Sequence, residues 1–182
     1  MKTIGIFAII AIIIVIFLLL RFMIKRLWLF HLLNRFAKEH NYTCTIPRSC
    51  LLPNNRNNHY VQICTANTVY NIKLFGLLRK QCEIHFWNTR EYAATWYASW
   101  SEYTSRTAPL DILAKRRRSL GKTDWLTADG VPALLISPAH APVCITQTDE
   151  NHLTQLRAGD KLGNAIFADL DYLLRYIEKY EN

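Results

Sequence analysis

The first quarter of the chain alternates little between polar and apolar positions, because it opens on a nearly unbroken apolar run. From Ile4 to Leu20 only Gly5 interrupts the run, and Arg21 ends it before three further apolar residues at 22–24. Seventeen helical residues span about 25 Å, which approaches the thickness of a hydrocarbon core, and no small-residue cleavage site follows. We therefore predict an uncleaved transmembrane anchor over residues 1–24 rather than a signal peptide.

Helical spacing continues beyond the apolar run. Leu29, Leu32, Leu33 and Phe36 recur three and four residues apart, which predicts a juxtamembrane helix over residues 25–40. Two placements stay open for this helix. It either lies along the membrane surface or packs as the first helix of the folded domain.

The remainder of the chain, residues 41–182, reads as a folded domain. Prolines and asparagines over residues 45–58 predict a loop. Short runs of alternating, β-branched residues predict strands at 60–65, 69–75, 81–87, 132–138, 143–147 and 165–168. The first two strands are close enough in the chain to form a hairpin. An amphipathic helix is predicted over residues 169–180. The expected fold is therefore α+β: one transmembrane helix, then a single small domain with a mixed or antiparallel sheet and a C-terminal helix.

An aromatic segment over residues 91–106 fits two secondary structures. Tyr92, Trp96, Trp100 and Tyr103 recur at helical spacing, but the aromatic content also suits a strand. Such a stripe either belongs to the core or forms a platform for a ligand or nucleobase.

The charge is distributed unevenly along the chain, which has a net charge of +8. Residues 1–38 carry +6, residues 39–122 carry +7 and residues 123–182 carry −5. Because most basic residues near the apolar run lie on its C-terminal side, the positive-inside rule predicts a cell-membrane protein with its N-terminus outside and its C-terminal domain in the cytoplasm. An odd count of five cysteines agrees with a reducing compartment.

Basic residues form two groups that are predicted to contact anionic lipid headgroups or another polyanion. One group flanks the apolar run and the other forms a dense loop, for which a merely solvated surface is the alternative. The candidates are Arg21, Lys25, Arg26, Lys115, Arg116, Arg117 and Arg118.

Residues 29–88 follow the order helix, strand, strand, strand, and the second strand ends in Asn71-Ile72-Lys73. This order resembles the start of the restriction-endonuclease-like core, in which an Asp and an acid-x-Lys pair hold a divalent metal. Asn71 stands at the acid position here, and the region of the first Asp reads Asn57-Asn58-His59. Neutral amides cannot neutralise Mg²⁺, so the resemblance implies the fold without the metal or the nuclease activity. It leaves Lys73 and His59 as candidate pocket residues.

These patterns favour binding over catalysis. The sequence contains no catalytic signature, and we predict no catalytic residues, metal or cofactor. The expected function is a single-pass membrane protein whose cytoplasmic domain is a binding or regulatory module at the membrane. Its expected partners are the lipid bilayer, its anionic headgroups and a protein that the sequence does not identify. The alternative is a catalytically degenerate, nuclease-like domain that binds nucleic acid, although nucleic acid is not the expected partner.

Overall fold

A computed structural model describes residues 2–51, 60–75, 82–86, 91–96, 118–119, 124–136, 143–146 and 153–181. The chain begins with helix α1, Lys2–Glu39, which is 38 residues long. The helix stops where Asn41 adopts a left-handed backbone with φ 58° and the Tyr42 N–H donates to the Ala37 carbonyl at 2.7 Å. This is a common way for a helix C-terminus to satisfy its last carbonyl groups.

The prediction of a transmembrane anchor is wrong. Among the residues that the structure describes, no helix combines the length and the apolar character needed to cross a membrane. The apolar run ends at Arg21, at the short limit for a spanning helix, and α1 continues beyond it through Lys25 and Arg26. The predicted cell-membrane location, single-pass topology and cytoplasmic C-terminal domain depended on that anchor and are corrected with it.

The other elements are shorter and follow α1 in chain order. They are β1 Thr43–Thr45, a 3-10 helix at Arg48–Leu51, β2 Val61–Cys64, β3 Val69–Phe75, β4 Cys82–Phe86, β5 Glu91–Trp96, β6 Arg118–Ser119, α2 Asp124–Thr127, β7 Val131–Ile136, β8 Val143–Thr146, β9 Leu153–Gln155, β10 Lys161–Leu162, β11 Ala165–Ala168 and α3 Leu170–Glu181.

The strands form two sheets. Sheet A has the order β1-β2-β3-β7-β11-β10, and sheet B has the order β6-β5-β4-β8-β9. In sheet A, β3, β7 and β11 are parallel to one another, and Ala133 of β7 lies opposite both Ile72 of β3 and Ile166 of β11. Strand β2 runs antiparallel to β3. Strand β3 is buried along its whole centre, as is typical of a parallel strand covered on both faces.

Alternation along the strands of sheet A divides the hydrophobic core in two. Residues such as Ile72 and Leu135 join a helix-side core with Leu33 of α1 and Ile177 of α3. Residues on the opposite face, such as Leu134, join an intersheet core with side chains of sheet B. The molecule is therefore layered as helices, sheet A and sheet B, because each strand of sheet A contributes side chains to both faces.

Helix α1 contributes only part of its length to this core. Leu29, Phe30, Leu33 and Phe36 are buried against sheet A, so residues 25–40 have the packed placement of the two left open above. The apolar side chains described between Phe7 and Leu20 are exposed.

Sheet A has two distinct ends. We call the end where β3, β7 and β11 finish the carboxyl end, and the end where they start the amino end. Helix α3 follows the carboxyl end of β11, and its last residue, Glu181, contacts the β2–β3 turn at the amino end. Arg26 of α1 acts electrostatically on Lys73, near the carboxyl end of β3. Farther along α1, His40 Nε2 lies 3.8 Å from Glu178 Oε1, near the C-terminus of α3 and so near the amino end of sheet A. Both helices therefore run antiparallel to β3.

The domain outside α1 agrees largely with the sequence pattern. The α+β class, a mixed sheet, the C-terminal helix and the hairpin of β2 and β3 are confirmed. The structure has two sheets where one was expected, because periodicity indicates a strand but not the neighbour with which it pairs. In the ambiguous aromatic segment, residues 91–96 form strand β5, and residues 97–106 lie outside the described ranges.

Candidate functional site

The predicted basic residues have different positions in the structure. Lys25 is exposed on α1, whereas its neighbour Arg26 is buried, with 9% of its surface exposed. Arg21 lies in α1 and Arg118 in β6. The other candidates, His59, Lys115, Arg116 and Arg117, lie outside the described residues.

Lys73 is among the most deeply buried side chains of the domain. It exposes 1% of its surface and lies two residues before the end of β3. The ladder between β2 and β3 ends at the pair Val61 and Ile72, so Lys73 is the first β3 residue beyond it. A lysine is almost never fully buried unless something in its surroundings interacts with its charge. Its position at the carboxyl end of a central parallel strand is where ligands commonly bind in sheets with parallel strands.

Arg26 reaches the same region from the helix layer. Position 26 precedes Leu29 and Phe30 by three and four residues, so helical periodicity turns it toward sheet A with them. Its guanidinium Nη1 donates a hydrogen bond to the backbone carbonyl of Cys50, in the 3-10 helix. The bond joins α1 to the segment between β1 and β2, and it fixes the guanidinium at the place where α1 leaves the domain.

The three groups act on one another electrostatically. Burial lowers the pKa of Lys73, the Cys50 thiol works against this, and the positive charge of Arg26 lowers the pKa further. Burial likewise lowers the pKa of Arg26. Burial raises the pKa of the Cys50 thiol, although the two cations oppose that rise. The thiol is therefore protonated near neutral pH, and the positive charge of buried Arg26 acts on buried Lys73. We call Arg26, Cys50 and Lys73 the cationic cluster.

Asn71 lies on β3 two residues before Lys73 and is fully buried. Its Oδ1 accepts a hydrogen bond from Gln62 Nε2 at 3.0 Å, and its Nδ2 donates to the Asp129 carbonyl at 3.1 Å. Both atoms of the amide are thus used in holding β3 to its neighbours. Within the described ranges, no group of three or more His, Cys, Asp or Glu side chains is arranged to hold a metal ion.

Three aromatic rings pack in the intersheet core, on the face of β3 that Lys73 shares. Phe75 follows Lys73 by two residues on the same face of β3, which separates their α-carbons by about 7 Å. The Phe75 ring is edge-on to the Tyr92 ring of β5, with centroids 4.7 Å apart and planes at 87°. Phe86 of β4 is fully buried behind both, with centroids at 6.1 Å from each. Phe75 and Tyr92 are half-buried, and we call these two rings the aromatic rim.

The amino end of sheet A is built differently. The Tyr70 hydroxyl donates to Glu181 Oε1 at 2.9 Å, and Asn67 Nδ2 donates to Glu181 Oε2 at 3.4 Å. Desolvation is the largest single effect on Glu181 and raises the pKa of its carboxyl, but the hydrogen bonds from the β2–β3 turn and from Tyr70 together outweigh it and lower the pKa. This end joins helix, strand and turn through a carboxylate whose charge is stabilised by its neighbours.

Sequence reasoning found some members of the site and missed others. Lys73 was predicted through a family resemblance, and Arg26 was predicted for a different surface. The helical spacing from Arg26 to Leu29 and Phe30 is the signal that identifies its inward face. Cys50 carried no such signal, because its segment was predicted to be a loop.

Comparison with known proteins finds no matching family model, no similar curated protein and no similar solved structure.

Proposed function

We propose that the α+β domain is a binding module for a small anionic ligand, which it holds at the carboxyl end of sheet A. The observation that carries this proposal is the cationic cluster, in which Arg26 and Lys73 are both buried and near enough for their charges to repel. Carboxylates and phosphates are the ligands that such an arrangement favours.

The physical basis is the free energy of buried charge. Taking a cation out of water is unfavourable, and a second cation nearby adds repulsion. Clusters of this kind reduce the stability of a fold, and perturbed titratable groups are concentrated at functional sites. An anion between the two side chains would reverse both effects, because it supplies the opposite charge to Arg26 and Lys73 together.

The Cys50 thiol is not an anionic partner of the two cations. Burial keeps its thiol protonated near neutral pH, so its sulfur does not supply a full negative charge to the two cations. Its backbone carbonyl instead orients the Arg26 guanidinium.

A second candidate function is the binding of nucleic acid by a degenerate nuclease-like domain. It is favoured by one observation, that Lys73 lies on a central strand, two residues after Asn71, as in the acid-x-Lys arrangement. The use of both Asn71 amide atoms within the protein favours the small-anion proposal over this one.

The proposal is tested by measuring the binding of inorganic phosphate to the full-length protein, kept in a non-ionic detergent because part of α1 exposes apolar side chains. Thermal unfolding and titration calorimetry give the affinity independently. Phosphate at a hundred times its Kd should stabilise the fold by about 2.7 kcal/mol. Lys73→Met and Arg26→Met should each abolish the stabilisation.

Matched controls come from the exposed face of α1. Lys38→Met and Arg35→Met each remove one positive charge without touching the cationic cluster, and both should leave phosphate binding unchanged. The proposal is overturned if phosphate does not bind, or if both core variants bind it as the unmodified protein does. Tight, salt-sensitive binding of duplex DNA that is lost in Lys73→Met, with no phosphate binding, would favour the second candidate instead.

A further inference from the structure

We infer that α1 pairs with α1 of a second copy of this chain, through a stripe of apolar side chains on the helix face that points away from sheet A. We call this surface the heptad stripe, and its members are Ile10, Ile13, Phe17, Leu20, Ile24 and Leu27. The stripe does not include the proposed anion site, because Arg26 is buried on the other side of the helix.

The phase of the stripe is set where α1 crosses the domain. Leu33 is fully buried against sheet A, whereas Ile24 and Leu27 expose 63% and 50% of their surfaces. Because an α-helix turns by about 100° per residue, Ile24 lies about 180° and Leu27 about 120° around the helix from Leu33. The domain therefore covers one face of this part of α1 and leaves apolar side chains exposed on the opposite face.

The exposed face continues toward the N-terminus with the spacing of a coiled coil. From Ile10 to Leu27 the members of the stripe are separated by three, four, three, four and three residues, which is the a and d pattern of a heptad repeat. All six are exposed, by 48% to 63% of their surfaces. The next a position holds His31, which is exposed and polar, so the apolar stripe ends there.

The residue types along the stripe favour a parallel pair of identical helices. Ile occupies two of the three a positions and Leu two of the three d positions. A β-branched residue at a with Leu at d is the combination that selects two parallel strands. In such a pair Ile24 and Leu27 each meet their own counterpart, and each domain lies outside the pair because it covers the opposite face of α1. A two-fold interface requires a surface that is complementary to itself, and this stripe meets that requirement.

The stripe also offers enough area for a stable pair. A specific interface buries about 800 Å² on each partner. Burial of one large aliphatic side chain removes on the order of 100 Å² from water. The six members reach the required area together with the side chains that flank them, of which Ile14, Ile16 and Trp28 are exposed by half or more. A contiguous apolar surface of this size is characteristic of a protein interface.

The first test is disulfide cross-linking of the full-length protein in a non-ionic detergent with a mild oxidant. In a parallel pair, a cysteine at an a or d position faces its own counterpart. Ile13→Cys and Leu27→Cys should form covalent dimers at least about tenfold faster than Val15→Cys, because a disulfide requires α-carbons within about 7 Å. Val15 is the matched control, since it is exposed to nearly the same extent as Ile13, 55% against 59%, but lies about 160° around the helix from it. The unmodified protein measures the background from its five cysteines.

The second test is sedimentation equilibrium in density-matched detergent, which gives the mass of the assembly. The unmodified protein should have the mass of a dimer. Leu20→Asp should weaken dimerisation by about tenfold or more, because it places an unpaired charge in the interface. Val15→Asp introduces the same charge on the opposite face and should leave the dissociation constant unchanged.

Three results would overturn the pairing. A monomeric mass, with no cross-linking at positions 13 and 27 above background, would show that detergent alone covers the stripe. Equal cross-linking rates for Ile13→Cys and Val15→Cys would show that the helices associate without a preferred face. A mass of three or more chains would exclude the two-stranded arrangement. Phosphate binding by the same preparations is measured separately, so the anion site can fail while the pairing stands, and the reverse.

Discussion

The two ends of sheet A satisfy their buried polar groups in opposite ways. At the amino end, Tyr70 and the β2–β3 turn donate hydrogen bonds to Glu181, whose pKa is lowered because the charged form is the one that these donors stabilise. At the carboxyl end, burial lowers the pKa of both Arg26 and Lys73, and the charge of Arg26 lowers the pKa of Lys73 further, so their charged forms are disfavoured. The first end contributes to stability, and the second opposes it.

The difference indicates that the amino end of sheet A stabilises the fold, whereas the carboxyl end carries the candidate site. Folded domains retain locally unfavourable arrangements mainly where a site requires them. The carboxyl end also has two half-buried aromatic rings on the face of sheet A that Lys73 shares, whereas the amino end is closed by α3 and the hairpin turn. Substitutions at the two ends should therefore shift stability in opposite directions.

The largest effect is expected at the amino end, from Gly130→Ala. Gly130 precedes β7 with φ 120°, and a β-carbon there would lie 2.0 Å from the Val69 carbonyl oxygen. Because the clash is with the backbone of β3, the strand must move, and we expect a loss of about 3–5 kcal/mol in the free energy of unfolding. Chemical denaturation measures it. Gly163→Ala, at φ 62°, is the comparison: it should cost less, since an L-residue adopts that φ more readily than φ 120°.

The next effect should have the opposite sign. Lys73→Met keeps much of the side-chain volume and removes a buried charge together with its repulsion by Arg26. We expect the unliganded protein to gain about 1–3 kcal/mol in the free energy of unfolding, as happens when buried charges are replaced by apolar residues. Denaturant midpoints at pH 7 measure the change. A clear loss of stability would show that the carboxyl end is a structural ion network and would end the contrast between the two ends.

A smaller loss is expected from Tyr70→Phe. The substitution removes the hydrogen bond to Glu181 Oε1 and leaves the ring contacts, including the edge-on contact with Tyr176 at 6.4 Å. One hydrogen bond to a partly exposed carboxylate should contribute about 1–1.5 kcal/mol. Tyr180→Phe alters a far more exposed hydroxyl on α3, the helix that carries Glu181, and the difference between the two variants in thermal denaturation isolates the bond.

The smallest effect is a change in the dependence of stability on pH. The pKa of Glu181 is lowered in the folded protein from an ordinary value of 4.5, so its contribution is complete above pH 4.5 and is lost as the pH falls through the folded value. Glu181→Gln should flatten the acid side of the stability profile below pH 4.5 and change stability by less than about 1 kcal/mol at pH 7, since the group is solvated. Melting temperatures between pH 3 and pH 7 test this, and parallel curves for the two proteins would contradict it.

The sequence alone predicted the elements of the domain better than their arrangement. Alternation in Val69–Phe75 and the amphipathic pattern of α3 determine which side chains are buried, so those elements were predicted closely. The assignment of β4 to a second sheet depends on its pairing with β8, 59 residues away, which periodicity does not encode. The prediction of an anchor from the apolar run was wrong. Composition shows that a segment is apolar, but it does not show that the segment belongs to a longer helix that continues into the folded domain.

The candidate site shows the same limit. Lys73 lay on a predicted strand, but the effect of the Arg26 charge on it depends on the direction in which α1 crosses sheet A. Tyr92 was recognised as part of an aromatic segment, yet its contact with Phe75 joins the two sheets. Contacts between layers arise from tertiary packing, which no local pattern specifies.

Because α1 is one uninterrupted helix, the orientation of Arg26 is set by a count of residues. Each residue turns an α-helix by 100°, and the buried side chains from Leu29 to Ala37 fix the rotation of the helix against sheet A. A single residue inserted between Arg26 and Leu29 would swing the guanidinium away from Cys50, whereas one inserted before Arg26 would rotate only the projecting part of the helix. The phase of the helix thus limits where this chain can gain or lose residues.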